Sequence, residues 1–215
     1  MKKAMAITCL FLDIGGVLLT DGFDHNARRR AAANFKFDLA EMEERHHLTF
    51  DPYEEGKLTL EEYLTRVVFY QKRSFTRARF RRFLFAQSKP YPEMIDLMGK
   101  LKAKYGLKIV VVSNEARELN AYRIGKFKLG AFVDAFISSC YVHLRKPDVD
   151  IFCLALDVAQ VPARHVLFID NTPMFVQIAK GLGIRSILHA DYMSTCNKLA
   201  SFGLQIGEGD IHVAD

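Results

Sequence analysis

The stretch from Phe11 to Leu19, FLDIGGVLL, constrains the fold of this chain more than any other. An apolar run from Ala6 to Leu12 ends on a carboxylate at Asp13, and two of the next three positions, Gly15 and Gly16, carry no side chain. A short apolar run, bounded by lysines before and an aspartate after, fits a strand buried on both faces better than a helix. Similar runs recur at Leu107 to Val112, Ala135 to Ser138, His165 to Ile169 and Arg185 to Leu188. Helical patterns alternate with them at Glu93 to Tyr105, Glu115 to Phe127, Val149 to Leu156 and Pro173 to Leu182. This alternation predicts an α/β fold, a parallel sheet with helices on both faces.

From about Thr20 to Lys89 the alternation stops and amphipathic helices take over. Asp51-Pro52 with Glu54 predicts one helix start, and Thr59 with Glu62 predicts a capping box at another. Tyr63, Leu64, Val67 and Val68 recur at packing intervals, and Phe75, Phe80, Phe83 and Leu84 extend the apolar set. The expected layout is therefore a core of residues 1–19 and 90–215, interrupted by a helical unit at 20–89. Thr20 to Asp24 would be the exit linker and Ser88 to Pro92 the return. The polar tail after Leu204 predicts no element.

The chain of 215 residues can bury such a core without metals or cross-links. Its four cysteines, Cys9, Cys140, Cys153 and Cys196, show no ligand spacing, which predicts reduced thiols and a cytoplasmic protein. No apolar run approaches the roughly 18 residues of a membrane span, and the opening MKKAMAITCLFLDIG reads as a first core strand rather than a signal peptide. The expected protein is soluble, with no membrane partner. The formal charge of +5 would attract anions, but the basic stretches at Arg28 to Arg30 and Lys72 to Arg82 fall on helix faces. We read them as solvated faces, not as a nucleic-acid surface. A monomer and a homodimer both fit.

In a parallel sheet, ligands bind outside the carboxyl ends of the strands. The predicted strands deliver Asp13, Ser113-Asn114, Ser138-Ser139 followed by Lys146, and Asp170-Asn171 to that edge. Two carboxylates brought together need a shared proton or a cation, and Mg²⁺ prefers hard oxygen ligands. Asp13 and Asp170, with a backbone carbonyl, could hold such an ion. Lys146 and the Ser113 hydroxyl would add stabilisation for charge on a transferring phosphoryl group, with Asp13 as nucleophile.

FLDIGGVLL, VVVSNEAREL, HLRKPDVDIF and VLFIDNTPMF, in that order and spacing, resemble the four signature motifs of the haloacid dehalogenase-like hydrolase superfamily. The resemblance implies a three-layer Rossmann-like core with an inserted helical cap domain, and phosphoryl transfer through an aspartyl-phosphate with Mg²⁺. By the same resemblance, Asp13 and Lys146 would be catalytic, and Ser113, Asn114 and Lys146 would bind the phosphoryl group. Asp13, Gly15 through its main-chain oxygen, and Asp170 would hold the metal, with Asn171 as a neighbour. The substrate would be a small phosphorylated metabolite.

Gly15 departs from that pattern, because phosphatases of this kind usually carry a second Asp there as the proton donor. His25 at the entry to the helical unit is the candidate replacement, ahead of Asp21 and Asp24, since an imidazole titrates near neutrality. The alternatives are a weakly active or non-catalytic phosphate-binding protein on the same fold and, less favoured, a haloacid dehalogenase. The latter typically has an aromatic residue where Gly15 stands and lacks the carboxylate that Asp170 supplies. Adjacent His46 and His47 do not project together as a metal pair, and Gly181-Leu-Gly183 reads as a turn rather than a dinucleotide loop.

Overall fold

A computed structural model describes residues 6–207 of the protein. Lys2 and Lys3, and the tail beyond Gly207, lie outside the described residues. Five parallel strands form one sheet in the order β3-β2-β1-β4-β5: β1 (Cys9–Leu12), β2 (Lys108–Ser113), β3 (Ala135–Ser138), β4 (Val166–Asp170) and β5 (Arg185–Leu188). In register, Leu12 lies between Val111 and Ile169. The chain steps outward from β1 to β2 and β3, then crosses back to β4 on the other side. The order therefore reverses at β1, so the crevice outside its carboxyl end is the place where such sheets bind ligands.

Strand alternation sorts the core into layers. Leu10, Leu12, Ile109, Val111, Leu167 and Ile169 pack on one face with Met94, Leu97, Met98 and Leu101 of α5 (Pro92–Tyr105). Cys9, Phe11, Val110, Val112, Val166 and Phe168 pack on the other with Ile151, Phe152 and Ala155 of α8 (Val149–Ala159). Each fully buried large side chain is worth about 1.5–3 kcal/mol, so the sheet is held by its apolar ladders and not by the polar groups at its edge. The remaining helices of this part are α6 (Arg117–Lys126), the short α7 (Ser139–Val142), α9 (Pro173–Gly181) and α10 (Tyr192–Ser201). The sequence reading contains no counterpart of α10, whose only strong local signal is the Asp191 cap that accepts from Ser194 N–H at 2.8 Å.

Between β1 and α5 lie α1 (His25–Phe35), α2 (Leu39–Glu54), α3 (Leu60–Val67) and α4 (Arg77–Ala86). They share a separate apolar cluster containing Phe35, Met42, Tyr63, Leu64, Val67 and Phe80, and Phe75 and Phe83 pack against it. The capping box of Thr59 and Glu62 forms as expected. Asp51-Pro52 does not start a helix: it lies in the last turn of α2, whose true cap is Asp38, accepting from Glu41 N–H at 3.0 Å. A proline so close to a helix end removes one backbone donor without breaking the element, and Met42, Thr49 and Tyr53 bury the same helix on both sides of the predicted boundary.

The exit and return linkers pair with each other. Thr20 N–H donates to the Lys89 carbonyl at 2.8 Å, and Tyr91 N–H donates to the Leu18 carbonyl at 2.9 Å. A second contact joins the helical insert to the core, where Ser139 Oγ donates to the Glu54 carbonyl at 2.7 Å and Arg145 bridges Asp51 and Glu54 at 2.6 and 2.7 Å.

Candidate active site

Asp13 directly follows β1, and its N–H continues the ladder to the Ile169 carbonyl at 3.1 Å. Its Oδ1 accepts from Ile14 N–H at 2.8 Å and from the Ser113 hydroxyl, at the end of β2, at 2.6 Å. Its Oδ2 lies 3.2 Å from Lys146 Nζ. The same ammonium donates at 2.5 Å to Oδ2 of Asp170, the last residue of β4, whose Oδ1 accepts from Thr172 N–H at 2.7 Å. Three strand ends and one loop thus bring together four side chains that the sequence places up to 157 positions apart, from Asp13 to Asp170.

Asp170 and Lys146 are fully buried and Asp13 is 8% exposed. Burial pushes the Asp13 carboxyl up to about 7, with Lys146 opposing and Asp170 reinforcing the shift. Burial alone would lower the Lys146 ammonium, but Asp13 and Asp170 hold it above its ordinary value. The site therefore stores one positive charge between two carboxylates, and it is a place where a further cation would be welcome.

Among the described residues no three His, Cys, Asp or Glu side chains group as a metal cluster. Asp13 and Asp170 nevertheless converge on a single cation, the Lys146 ammonium. Two carboxylates plus a main-chain oxygen suit Mg²⁺, which keeps several of its own waters, so the donor set fits that ion.

The paired glycines have separate reasons. Gly16 has φ +70°, and a Cβ there would stand 2.0 Å from Asn171 Nδ2, so Asn171 lies over the bare backbone of the loop that follows Asp13. Gly15 has no positive φ, but a Cβ there would stand 3.0 Å from Asp21 Oδ1. The space beside residue 15 is thus taken by a carboxylate from the exit linker. Asn114 also lines the cavity, and its side chain braces the loop: Nδ2 donates to the Lys146 carbonyl at 2.8 Å and Oδ1 accepts from Lys146 N–H at 2.8 Å.

Asp13 opens into a cavity of about 630 Å³ between the sheet edge and the helical insert. The insert contributes Phe23, Arg28, Phe50, Tyr53 and Tyr63, among others. Tyr53 and Tyr63 stack with ring centroids 4.2 Å apart, and the buried Tyr53 hydroxyl has no hydrogen-bond partner among the described residues. Of the three arginines at 28–30, only Arg28 lines the cavity, paired with Glu43 at 2.9 Å. His46 Nδ1 pairs with the Tyr63 hydroxyl at 2.7 Å and is pushed down to about 4, chiefly by burial. His25 begins α1, is largely exposed and sits with Nδ1 3.1 Å from Glu43 Oε1.

Sequence reasoning missed the buried pair of Glu115 and Arg123. Arg123 is 1% exposed: Nη1 pairs with Glu115 Oε1, Nε donates to Ser88 Oγ at 3.0 Å and Nη2 to the Thr20 carbonyl at 3.0 Å. One guanidinium therefore holds both linkers, and Glu115 Oε2 is left buried without a partner. The position of Glu115, immediately after Ser113-Asn114 at the sheet edge, is the signal that could have marked it.

The sequence model of the haloacid dehalogenase-like hydrolases matches residues 7–183, and the chain belongs to that family. Among curated proteins, it is 26% identical over 92 residues to a putative pyrophosphatase, PpaX, of Caldanaerobacter subterraneus subsp. tengcongensis, covering 43% of this chain and 41% of that one. It is 27% identical over 97 residues to a phosphoglycolate phosphatase of Pseudomonas savastanoi pv. phaseolicola, covering 45% and 35%. The chain thus spans less than half the length of these two relatives.

Among solved structures, a predicted HAD-like family hydrolase from Porphyromonas gingivalis superposes with TM-score 0.74 and 21% identity, over 91% of this chain and 98% of that one. A HAD family enzyme from Bacteroides thetaiotaomicron, in complex with magnesium and inorganic phosphate, gives 0.73 and 20%, over 87% and 98%. An L-2-haloacid dehalogenase from Xanthobacter autotrophicus gives 0.60 and 17%, over 93% and 85%. The fold is therefore a parallel sheet core with an inserted helical cap.

Proposed function

We propose that this protein is a Mg²⁺-dependent phosphatase that hydrolyses a small phosphorylated metabolite through an aspartyl-phosphate at Asp13. The observation that carries the reading is the setting of the Asp13 carboxylate: Oδ1 is fixed by Ile14 N–H and Ser113, while Oδ2 lies beside Lys146 at the mouth of a cavity large enough for a small metabolite. An Asp13 oxygen attacks phosphorus and the bond to the leaving oxygen breaks. Water then attacks the phosphorus of the aspartyl-phosphate, releasing phosphate and restoring the carboxylate.

Lys146 offsets negative charge on the phosphoryl oxygens and favours the ionised form of Asp13 against the effect of burial; removing such a preorganised donor typically lowers kcat about 10²–10³-fold. Asp13, Asp170 and the Gly15 main-chain oxygen are the residues that would hold Mg²⁺, which supplies further charge stabilisation at the transferring group. Ser113 orients the nucleophile, Asn114 fixes the loop carrying Lys146, and Asn171 covers Gly16 beside it. Residues 20–89 form the cap domain, and residues 1–19 with 90–215 the catalytic core. The cysteines among the described residues are free thiols, and no helix there is long and apolar enough to cross a membrane.

The test is release of p-nitrophenol from p-nitrophenyl phosphate with Mg²⁺, against a chelator-treated sample and an Asp13→Asn variant. Turnover should vanish in both. Release that persists in the chelator-treated sample would overturn the Mg²⁺ requirement, and a folded parent no faster than Asp13→Asn would favour a phosphate-binding protein without catalysis.

A further inference from the structure

A poor leaving group, such as an alkoxide, needs a proton as its bond to phosphorus breaks, and a positioned acid supplies about 10²–10⁴-fold in rate. The groups facing the cavity near Asp13 are mostly committed elsewhere. Glu115 is paired with Arg123, Glu54 with Arg145, and Glu43 with Arg28 and His25. Asp24 Oδ1 caps α1 by accepting from Ala27 N–H at 2.6 Å, and His46 is bound to Tyr63. Asp21 and the exposed His47 of α2 are the exceptions, and of these two Asp21 is the one set against Gly15, two residues past Asp13. Asp21 is exposed to the cavity, and among the described residues its carboxylate accepts no hydrogen bond and joins no ion pair.

Its position is nonetheless defined. The residue before it, Thr20, has its carbonyl bound by Arg123 Nη2 at 3.0 Å. The residue after it, Gly22, packs so closely on the same guanidinium that a Cβ there would stand 2.5 Å from Nη2. A buried arginine thus grips the linker on both sides of Asp21, and its charge acts on the Asp21 carboxylate without a hydrogen bond to it. That side chain lies beside the loop that follows Asp13, with Oδ1 at 3.0 Å from the place of a Gly15 Cβ.

We infer that Asp21 is the acid-base residue of the site, placed there by Arg123 and admitted by the missing side chain at Gly15. This rests on the phosphatase reading. As Asp13 attacks phosphorus, the Asp21 carboxyl gives its proton to the leaving oxygen. The resulting Asp21 carboxylate then takes a proton from the water that attacks the aspartyl-phosphate, which restores both side chains. Proton balance is complete within one turnover, with no other reactant than substrate and water.

The experiment compares single-turnover release of the leaving group, with Mg²⁺ and enzyme in excess, from p-nitrophenyl phosphate and from glycerol 2-phosphate. p-Nitrophenolate leaves without a proton and glycerol does not. Asp21→Asn should keep the p-nitrophenol release to within a few-fold of the parent and lose about 10²–10⁴-fold on glycerol release, with unchanged thermal melting. Equal losses on both substrates, or none on either, would overturn the assignment, as would the same selective loss in His25→Ala but not in Asp21→Asn. A parent that cleaves only the aryl ester overturns the role of Asp21 and leaves Asp13 standing. A folded parent that cleaves neither overturns both.

Discussion

The cavity has two walls built on different principles. On the core wall, Asp13 faces the cavity and is backed by the fully buried Ser113 and Asp170; all three sit at or one residue past the ends of adjacent parallel strands, so the hydrogen-bond ladder of the sheet sets their spacing. On the insert wall, Arg28 belongs to α1 and His46, Tyr53 and Glu54 to α2, and they are held by side-chain pairs and ring stacking. The first wall offers a fixed constellation of charge suited to one chemical step. The second offers aromatic surface and paired ions, which under the proposed function would select what the rest of a substrate looks like. Between the walls, Arg123 ties both linkers to α6, and Asp21 belongs to neither wall but to the joint.

This contrast can be broken at specific places. The largest effect is expected at the joint. Arg123→Met would leave Glu115 buried without its partner, which typically destabilises by about 3–5 kcal/mol. Urea unfolding should read that loss, and adding Glu115→Gln should recover part of it; a variant as stable as the parent would show that the joint is not held by this pair. Next comes the core wall, where Lys146→Met should lower kcat about 10²–10³-fold for every phosphate ester tried. A loss confined to some substrates would place Lys146 in recognition rather than in the common step.

A smaller effect is expected where the insert meets α7. Gly56 has φ +70°, and a Cβ there would stand 2.2 Å from the Cys140 carbonyl oxygen. Gly56→Ala should therefore destabilise by about 2–4 kcal/mol, combining left-handed strain with a backbone clash. Thermal melting measures it, and an unchanged midpoint would mean that the insert does not rest on the core at this point.

The smallest effect belongs to His46, whose pKa falls to about 4 from an ordinary 6.5 because burial disfavours the charged ring. The unfolded chain then binds the extra proton first, so the stability tied to neutral His46 is present above about 6.5 and drains away as pH falls towards about 4. His46→Asn should lose less stability than the parent across that interval; parallel pH profiles would contradict the buried setting of the ring.

The core wall was largely legible in the sequence, because each strand reads as an apolar run and each functional side chain follows it directly. Asp13, Ser113 and Asp170 are located by that local rule alone. Lys146 lies on a loop, and its place beside both carboxylates depends on Asn114 holding its main chain, a contact between residues 32 positions apart. The insert wall was less legible, because helical periodicity identifies buried faces but not which cavity a polar residue borders. Asp51-Pro52 misled for a related reason: cap-like residues carry the same local signal whether they open a helix or make a distant ion pair, as Asp51 does with Arg145. The sequence points to His25 because an imidazole side chain suits proton transfer near neutral pH, yet the structure gives it Glu43 as a partner and places Asp21 against Gly15. Only the folded linker, gripped by Arg123, reveals that placement.

The central claim is that Asp13 accepts the phosphoryl group, and it is tested most directly by trapping that adduct. Asp21→Asn should slow the attack of water on the aspartyl-phosphate, so mixing it with p-nitrophenyl phosphate and Mg²⁺ and quenching in acid should preserve the adduct for peptide mass spectrometry. The account predicts a burst of p-nitrophenol equal to the enzyme present, and one phosphoryl group on the peptide containing Asp13, absent in Asp13→Asn. An adduct on any other residue would contradict it, whereas continued phosphate release with no burst would contradict the role of Asp21 in activating water and leave Asp13 standing.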